Sequence, residues 1–118
     1  MTLEDVGAVI KDQFPDIVNK ILKPSPDKLR LVLNDKSFVD IRISQNVKNR
    51  FDFHWERRHI DGAIYRYDNF PDTKFKKVTT FPYYFHKGQE GTVVASPFGK
   101  TLPRAFTDFM TFIREHLS

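Results

Sequence analysis

Of the four histidines in this 118-residue chain, His54 and His86 are the pair that can converge on one site. His59 lies beside a hairpin turn, and His116 sits near the end of a C-terminal helix. Histidine titrates near neutrality, so two of them can supply the base and the acid that RNA cleavage needs without a metal. Arg58 and Lys87 are candidates to meet phosphate charge. Tyr67 and Tyr83 can stack a base or donate a hydrogen bond, and Asn69 can orient a substrate. With Asp68 these form the expected substrate-binding set around the catalytic pair. The competing reading is that His54 and Tyr67 merely pack across neighbouring strands.

Several other chemistries are ruled out by what is missing. There is no cysteine, which excludes disulfides, thiolate catalysis and cysteine-ligated zinc. Asp68, Asp72, His54 and His86 offer metal-type donors, but no HExxH, no DxDxDG and no closely spaced histidine pair accompanies them, so no metal is expected. The glycines form neither GxGxxG nor GxxxxGK[ST], and Ser96 lacks a GxSxG elbow, so no cofactor is expected either. A net charge of +4 favours an anionic partner such as nucleic acid. Lys74, Lys76 and Lys77 around Phe75 combine charge with an aromatic, although such runs are commonly solubilising loops. The adjacent Arg57 and Arg58 point to opposite faces of a strand and read as solvated charges. No apolar run is long enough to span a membrane and the start lacks a signal peptide, so the expected location is the cytoplasm.

The elements that must position the histidines follow from periodicity. The length suits one domain spanning 1–118, and 40% hydrophobic residues, twelve of the side chains being phenylalanine, suffice for an aromatic core. Thr2 with Asp5 reads as a cap, and Val6, Val9 and Ile10 continue a helix. Ile17, Val18, Ile21 and Leu22 extend that stripe past Pro15, so a second short helix or a kinked continuation is expected before Lys23-Pro24-Ser25-Pro26. Leu29, Leu31 and Leu33 alternate, Asn34-Asp35-Lys36 turns, and Val39, Ile41 and Ile43 alternate again. A three-residue loop sets Leu31 opposite Val39, Leu29 opposite Ile41 and Arg30 opposite Asp40.

Arg50 to Ile60 then meets Asp61-Gly62, which favours a two-residue turn, and Ala63 to Asn69 returns. That register pairs His54 with Asn69, Glu56 with Tyr67 and Arg58 with Tyr65 on a polar face. It leaves Phe51, Phe53, Trp55 and Ile64 on the core face, with Asp68 opposite Trp55. Val78 to His86 reads as extended around Pro82, and Thr92 to Ala95 as a short strand. Thr101 and Pro103 open a last helix whose stripe is Leu102, Phe106, Phe109, Ile113 and Leu117. The expected fold class is therefore α+β, an antiparallel β-meander with both terminal helices packed on one face and the other face open.

The run Phe53-His54-Trp55, the return through Tyr67-Asp68-Asn69-Phe70-Pro71, and Thr80-Phe81-Pro82 with His86 downstream together resemble the TumE family of small prokaryotic toxins. In that family an aromatic-His-Trp strand precedes a Trp-Asp-Asn-Ala-Pro-His-His segment and a Thr-Phe-Pro-His-His-Lys-His segment. His54, Trp55, Asp68, Asn69, Pro71, Phe81, Pro82 and His86 match. Asp72 and Thr73 stand where two histidines are common, and Tyr83 and Tyr84 replace the histidines after Thr-Phe-Pro. The resemblance covers most of the chain and implies a toxin encoded beside a helix-turn-helix antitoxin, with RNA as the expected target and ribonuclease action as the implied activity. The alternative expectation is a non-catalytic binding module for protein or nucleic acid that forms a homodimer through its sheet, where aromatics would furnish the interface.

Overall fold

A computed structural model describes residues 1–118. The elements run α1 (Leu3–Gln13), β1 (Val18–Ser25), β2 (Lys28–Leu33), β3 (Phe38–Ile43), β4 (Phe51–Arg57), α2 (Arg58–Asp61), β5 (Ala63–Asp68), a 3₁₀ turn (Thr73–Phe75), β6 (Tyr84–Gly88), β7 (Val93–Ala95) and α3 (Arg104–Leu117). The strands form one seven-stranded antiparallel sheet in the order β1 to β7, each paired with its sequence neighbours. The class is α+β, as the periodicity predicts.

α1 starts where its cap demands. The Thr2 hydroxyl accepts from the Asp5 amide and the Asp5 carboxylate accepts from the Thr2 amide, satisfying two donors that a helix start leaves free. The expected helix beyond Pro15 does not form. Phe14 closes α1 by donating its amide to the Ile10 carbonyl, and residues 18–25 instead become the edge strand β1. β-Branched Val18 and Ile21 turn toward the core by pairing with Leu33 and Leu31, and two register shifts let the strand absorb its irregular pattern.

The next hairpin pairs Leu31 with Val39, Leu29 with Ile41 and Arg30 with Asp40, the register that a three-residue loop requires. Lys36 supplies the positive φ of that loop, at 73°. One face of the sheet carries Leu29, Leu31, Leu33, Val39, Ile41, Phe51, Phe53, Trp55, Tyr67 and Phe85. Val6 and Ile10 of α1 and Ala105, Phe106, Phe109, Met110 and Ile113 of α3 close over this face in one apolar cluster. Burial of these rings is the main force holding both helices to the sheet. Arg114 ties the two ends together, bonding the Gln13 carbonyl and the Asp16 carboxylate.

The largest departure from expectation is the β4–β5 register. Arg58–Asp61 forms one helical turn closed by Gly62 at φ 79°, so the connection is longer than the two-residue turn that Asp61-Gly62 suggests. Phe53 therefore pairs with Tyr67, His54 with Arg66, Trp55 with Tyr65, Glu56 with Ile64 and Asp52 with Asp68. A one-residue change of pairing parity swaps the faces of a returning strand. Tyr65 and Tyr67 accordingly join the core face, while Ile64, Arg66 and Asp68 join the open face. Arg57, expected to be solvated, is buried: it stacks over Trp55 and bonds Asp35 and Asp61 at 2.6 and 2.9 Å. Residues 78–83 do not extend but form turns, so β6 begins only at Tyr84. α3 begins at Arg104 without a side-chain cap, so Thr101 contributes only its carbonyl, which accepts from the Ala105 amide.

Candidate functional site

The open face is built in rows across the strands. One row reads Asp40, His54, Arg66, His86, because β3, β4, β5 and β6 pair Asp40 with His54, His54 with Arg66 and Arg66 with His86. The next row reads Arg42, Asp52, Asp68, Tyr84. Neighbouring strands lie ~4.8 Å apart, so His54 and His86 stand roughly 10 Å apart at the backbone with Arg66 between them.

Arg66 is the centre of this face. It donates to both oxygens of Asp52 at 3.1 Å each, meets Asp68 at 3.5 Å, and donates to Glu90 at 2.8 Å. Burial disfavours its charge, but the three surrounding carboxylates outweigh that and raise its pKa. The arrangement also explains how Asp52 and Asp68 tolerate direct opposition, which would otherwise repel. Desolvation raises the Asp52 pKa, with Arg66 pulling the other way.

His86 is buried and clamped at both nitrogens. Nδ1 donates to the Glu90 carbonyl at 2.7 Å, and Nε2 faces Asp68 at 3.5 Å. Burial opposes protonation, yet the Asp68 contact and the Glu90 carbonyl prevail and raise its pKa above 6.5. Phe75 packs edge-on against the ring, at 6.2 Å. His54 is more open, and its Nε2 lies 3.3 Å from Glu56. Glu56 is in turn held by Arg58, whose guanidinium and amide both bond it, so its carboxyl titrates down at about 2. His54, Asp40, Arg42, Asp52 and Arg66 line a cleft of about 240 Å³. His86, Arg66 and Asp68 line a second of about 260 Å³ with Phe70, Phe75 and Tyr84.

The expected site residues divide accordingly. His54, His86 and Asp68 come together on one face. Arg58 sits in α2, beyond the strand, engaged by Glu56. Lys87 pairs with Tyr65 and so belongs to the other side of the sheet. Tyr67, expected on the polar face opposite Glu56, is fully buried on the core side, where its hydroxyl donates to the Gly99 carbonyl at 2.6 Å. Asn69, expected opposite His54, is a structural tie: its Oδ1 accepts from the Phe51 amide at 3.0 Å and its Nδ2 donates to the Asn49 carbonyl. Tyr83 packs against Phe51 and the core. Arg66, Asp52 and Glu90 are the residues the sequence reading missed. The alternation of Tyr65 and Tyr67 with Arg66 and Asp68 carries the signal, since large aromatics alternating with charges place the aromatics inside.

With an aromatic-His-Trp strand packed by Trp55 onto the core and a second histidine two strands away, the fold fits the pattern the motifs suggest. A family model described as toxin TumE matches residues 8–117. The chain belongs to the TumE toxin family. Comparison with curated proteins and with solved structures finds no match. Within this TumE chain, Trp55 is fully buried and donates from Nε1 to the Ser37 hydroxyl at 2.9 Å, so its role is to fix the strand that presents His54. The positions that the resembling pattern gives to histidine are here the start of a 3₁₀ turn, where Asp72 accepts from the Lys74 amide, and a pair in which Tyr83 packs against the core while Tyr84, buried on the opposite face, accepts from the Asp72 amide. No group of three or more histidine and acidic side chains is arranged to hold a metal ion, and no helix is long and apolar enough to cross a membrane.

Proposed function

We propose that this TumE-family chain is a toxin that acts on RNA in the cytoplasm, cleaving it without a metal, and that a cognate helix-turn-helix antitoxin neutralises it. The observation that carries the reading is the row His54, Arg66, His86 on an open sheet face. Two imidazoles on either side of a cation are the minimum equipment for moving protons at a phosphodiester.

His54, the more accessible of the two, serves as base and removes the proton of a ribose 2′-hydroxyl. The freed oxygen attacks phosphorus, and the bond to the 5′-oxygen breaks. His86, whose charged form is favoured by Asp68 and the Glu90 carbonyl, exchanges the 3.5 Å contact of its Nε2 with Asp68 for the substrate and gives that proton to the departing oxygen. The products are a 2′,3′-cyclic phosphate and a 5′-hydroxyl. Arg66 takes the stabilising role expected of Arg58 or Lys87, because it alone lies between the histidines. Asp68 and Asp52 position His86 and Arg66.

A homodimer formed through the sheet has less support. The aromatics that would furnish its interface lie under the helices, and the open face carries ion pairs. The test is incubation of the purified chain with a structured RNA in EDTA, comparing wild type with His54→Ala and His86→Ala. Cleavage leaving cyclic phosphate ends, reduced at least about 100-fold in each variant as loss of a general acid or base implies, supports the proposal. Equal cleavage by folded variants, or dependence on a divalent ion, contradicts it.

A further inference from the structure

Arg50 differs from every other arginine of the chain. Arg30, Arg42, Arg57, Arg58, Arg66, Arg104 and Arg114 each have a carboxylate within ion-pair range, Arg42 only loosely at 3.9 Å. Arg50 has none and instead lies over the ring of Phe70, 5.0 Å from its centroid. Phe70 is 46% exposed. A single exposed phenylalanine is ordinary, but this one carries a guanidinium over its ring, and its amide donates to Asp68 at 3.1 Å, which fixes the backbone from which the ring projects.

Phe70 also stands as a partition between two clefts. On one side Arg42 and Arg50 line a space of about 310 Å³ with Ser44, Gln45 and Asn46. On the other lies the cleft of Phe75, Tyr84 and His86. Arg42 in turn borders the cleft that holds His54. The three spaces therefore share walls: unpaired Arg50 lines only the first, while Arg42, loosely paired with Asp27 of the same wall, lines both that space and the His54 cleft.

We infer that this partition is a nucleotide subsite for single-stranded RNA, with a base stacked on the Phe70 face toward His86 and the adjoining phosphate held by Arg50 and Arg42. The inference rests on the RNA reading and extends it by naming which groups seat the strand beside the scissile bond. Base stacking on an aromatic and neutralisation of the backbone are the two contributions that single-strand binding uses. An arginine free of carboxylates can meet a phosphate without first breaking an ion pair.

The test is fluorescence anisotropy with a labelled single-stranded RNA octamer, in a His54→Ala background that suppresses cleavage. Phe70→Ala weakens binding about 5- to 160-fold, the span of one base–aromatic stack. Phe70→Trp retains it, and with a fully abasic strand Phe70→Ala has no effect. Arg50→Ala weakens binding to both strands and lowers the slope of log affinity against log salt by about one. Tight binding of the octamer that is unchanged in folded Phe70→Ala and Arg50→Ala overturns the subsite and leaves the RNA reading standing. Failure of the parent chain to bind the octamer, together with failure of wild type to cleave RNA, overturns both.

Discussion

Tyr67 separates a core role from a substrate role, and replacing it by phenylalanine tests which it plays. The substitution keeps the ring packed between Phe51, Phe53 and Phe98, at centroid distances of 5.0, 6.3 and 5.1 Å. It removes only the hydroxyl, which donates to the Gly99 carbonyl at 2.6 Å. That leaves a partly buried carbonyl unpaired, a loss of about 1–2 kcal/mol. For a chain of this length that corresponds to a fall in Tm of roughly 4–10 °C. A second readout comes from ionisation: burial pushes the Tyr67 hydroxyl up to about 12. An unfolded tyrosine ionises near 10, so between these values the unfolded state gains and the native state does not. Wild type therefore loses stability as pH rises through about 10 to 12, and Tyr67→Phe loses less over the same window. Urea unfolding at neutral and alkaline pH measures both, beside RNA cleavage, which is expected to be unchanged in the variant under conditions where it is folded. Unaltered stability with lost cleavage would refute the placement of Tyr67 in the core.

Three further predictions address the open face and its supports. His86 titrates above 6.5 by the NMR shift of its ring proton, and Asp68→Asn lowers the midpoint; an unchanged midpoint contradicts the clamp. Because the folded value is raised, the stability that charged His86 contributes is complete below about 6.5 and is lost as pH climbs through the folded midpoint, so the stability difference between wild type and His86→Gln shrinks on going alkaline. Arg57→Ala, which strips the stack on Trp55 and both carboxylate bonds, costs about 1–3 kcal/mol in urea unfolding, and a change under about 0.5 kcal/mol would argue that this arginine is merely solvated.

Much of this arrangement is legible in the residues. Strict alternation in Leu29 to Leu33 and Val39 to Ile43 determines the β2–β3 register, because any other pairing exposes a row of aliphatics. The capping pair Thr2 and Asp5 places α1, and the apolar stripe of Phe106, Phe109 and Ile113 places α3. The histidines were readable as a pair because both lie on strands of the meander. What sits between them was not. Asp61-Gly62 looks like a tight turn, but tertiary contacts convert it: Asp61 accepts from Arg57, which is anchored over Trp55, and the connection widens into a helical turn. That local substitution moves Arg66 and Asp68 to the histidine face and Tyr67 away from it. The helix expected beyond Pro15 fails for a related reason, since Ile17, Val18, Ile21 and Leu22 fit a helical stripe, yet the free edge of β2 offers backbone partners that a short proline-flanked helix cannot match.

Histidine-dependent RNA cleavage is tested by inducing the wild-type chain in a heterologous bacterium beside the His54→Ala, His86→Ala double variant, at matched soluble expression, and following growth and total RNA integrity. Arrested growth with RNA loss in wild type, and neither in the variant, is the expected result. Arrest and RNA loss that persist in the folded double variant, or undisturbed growth and intact RNA with the wild-type chain, would contradict it.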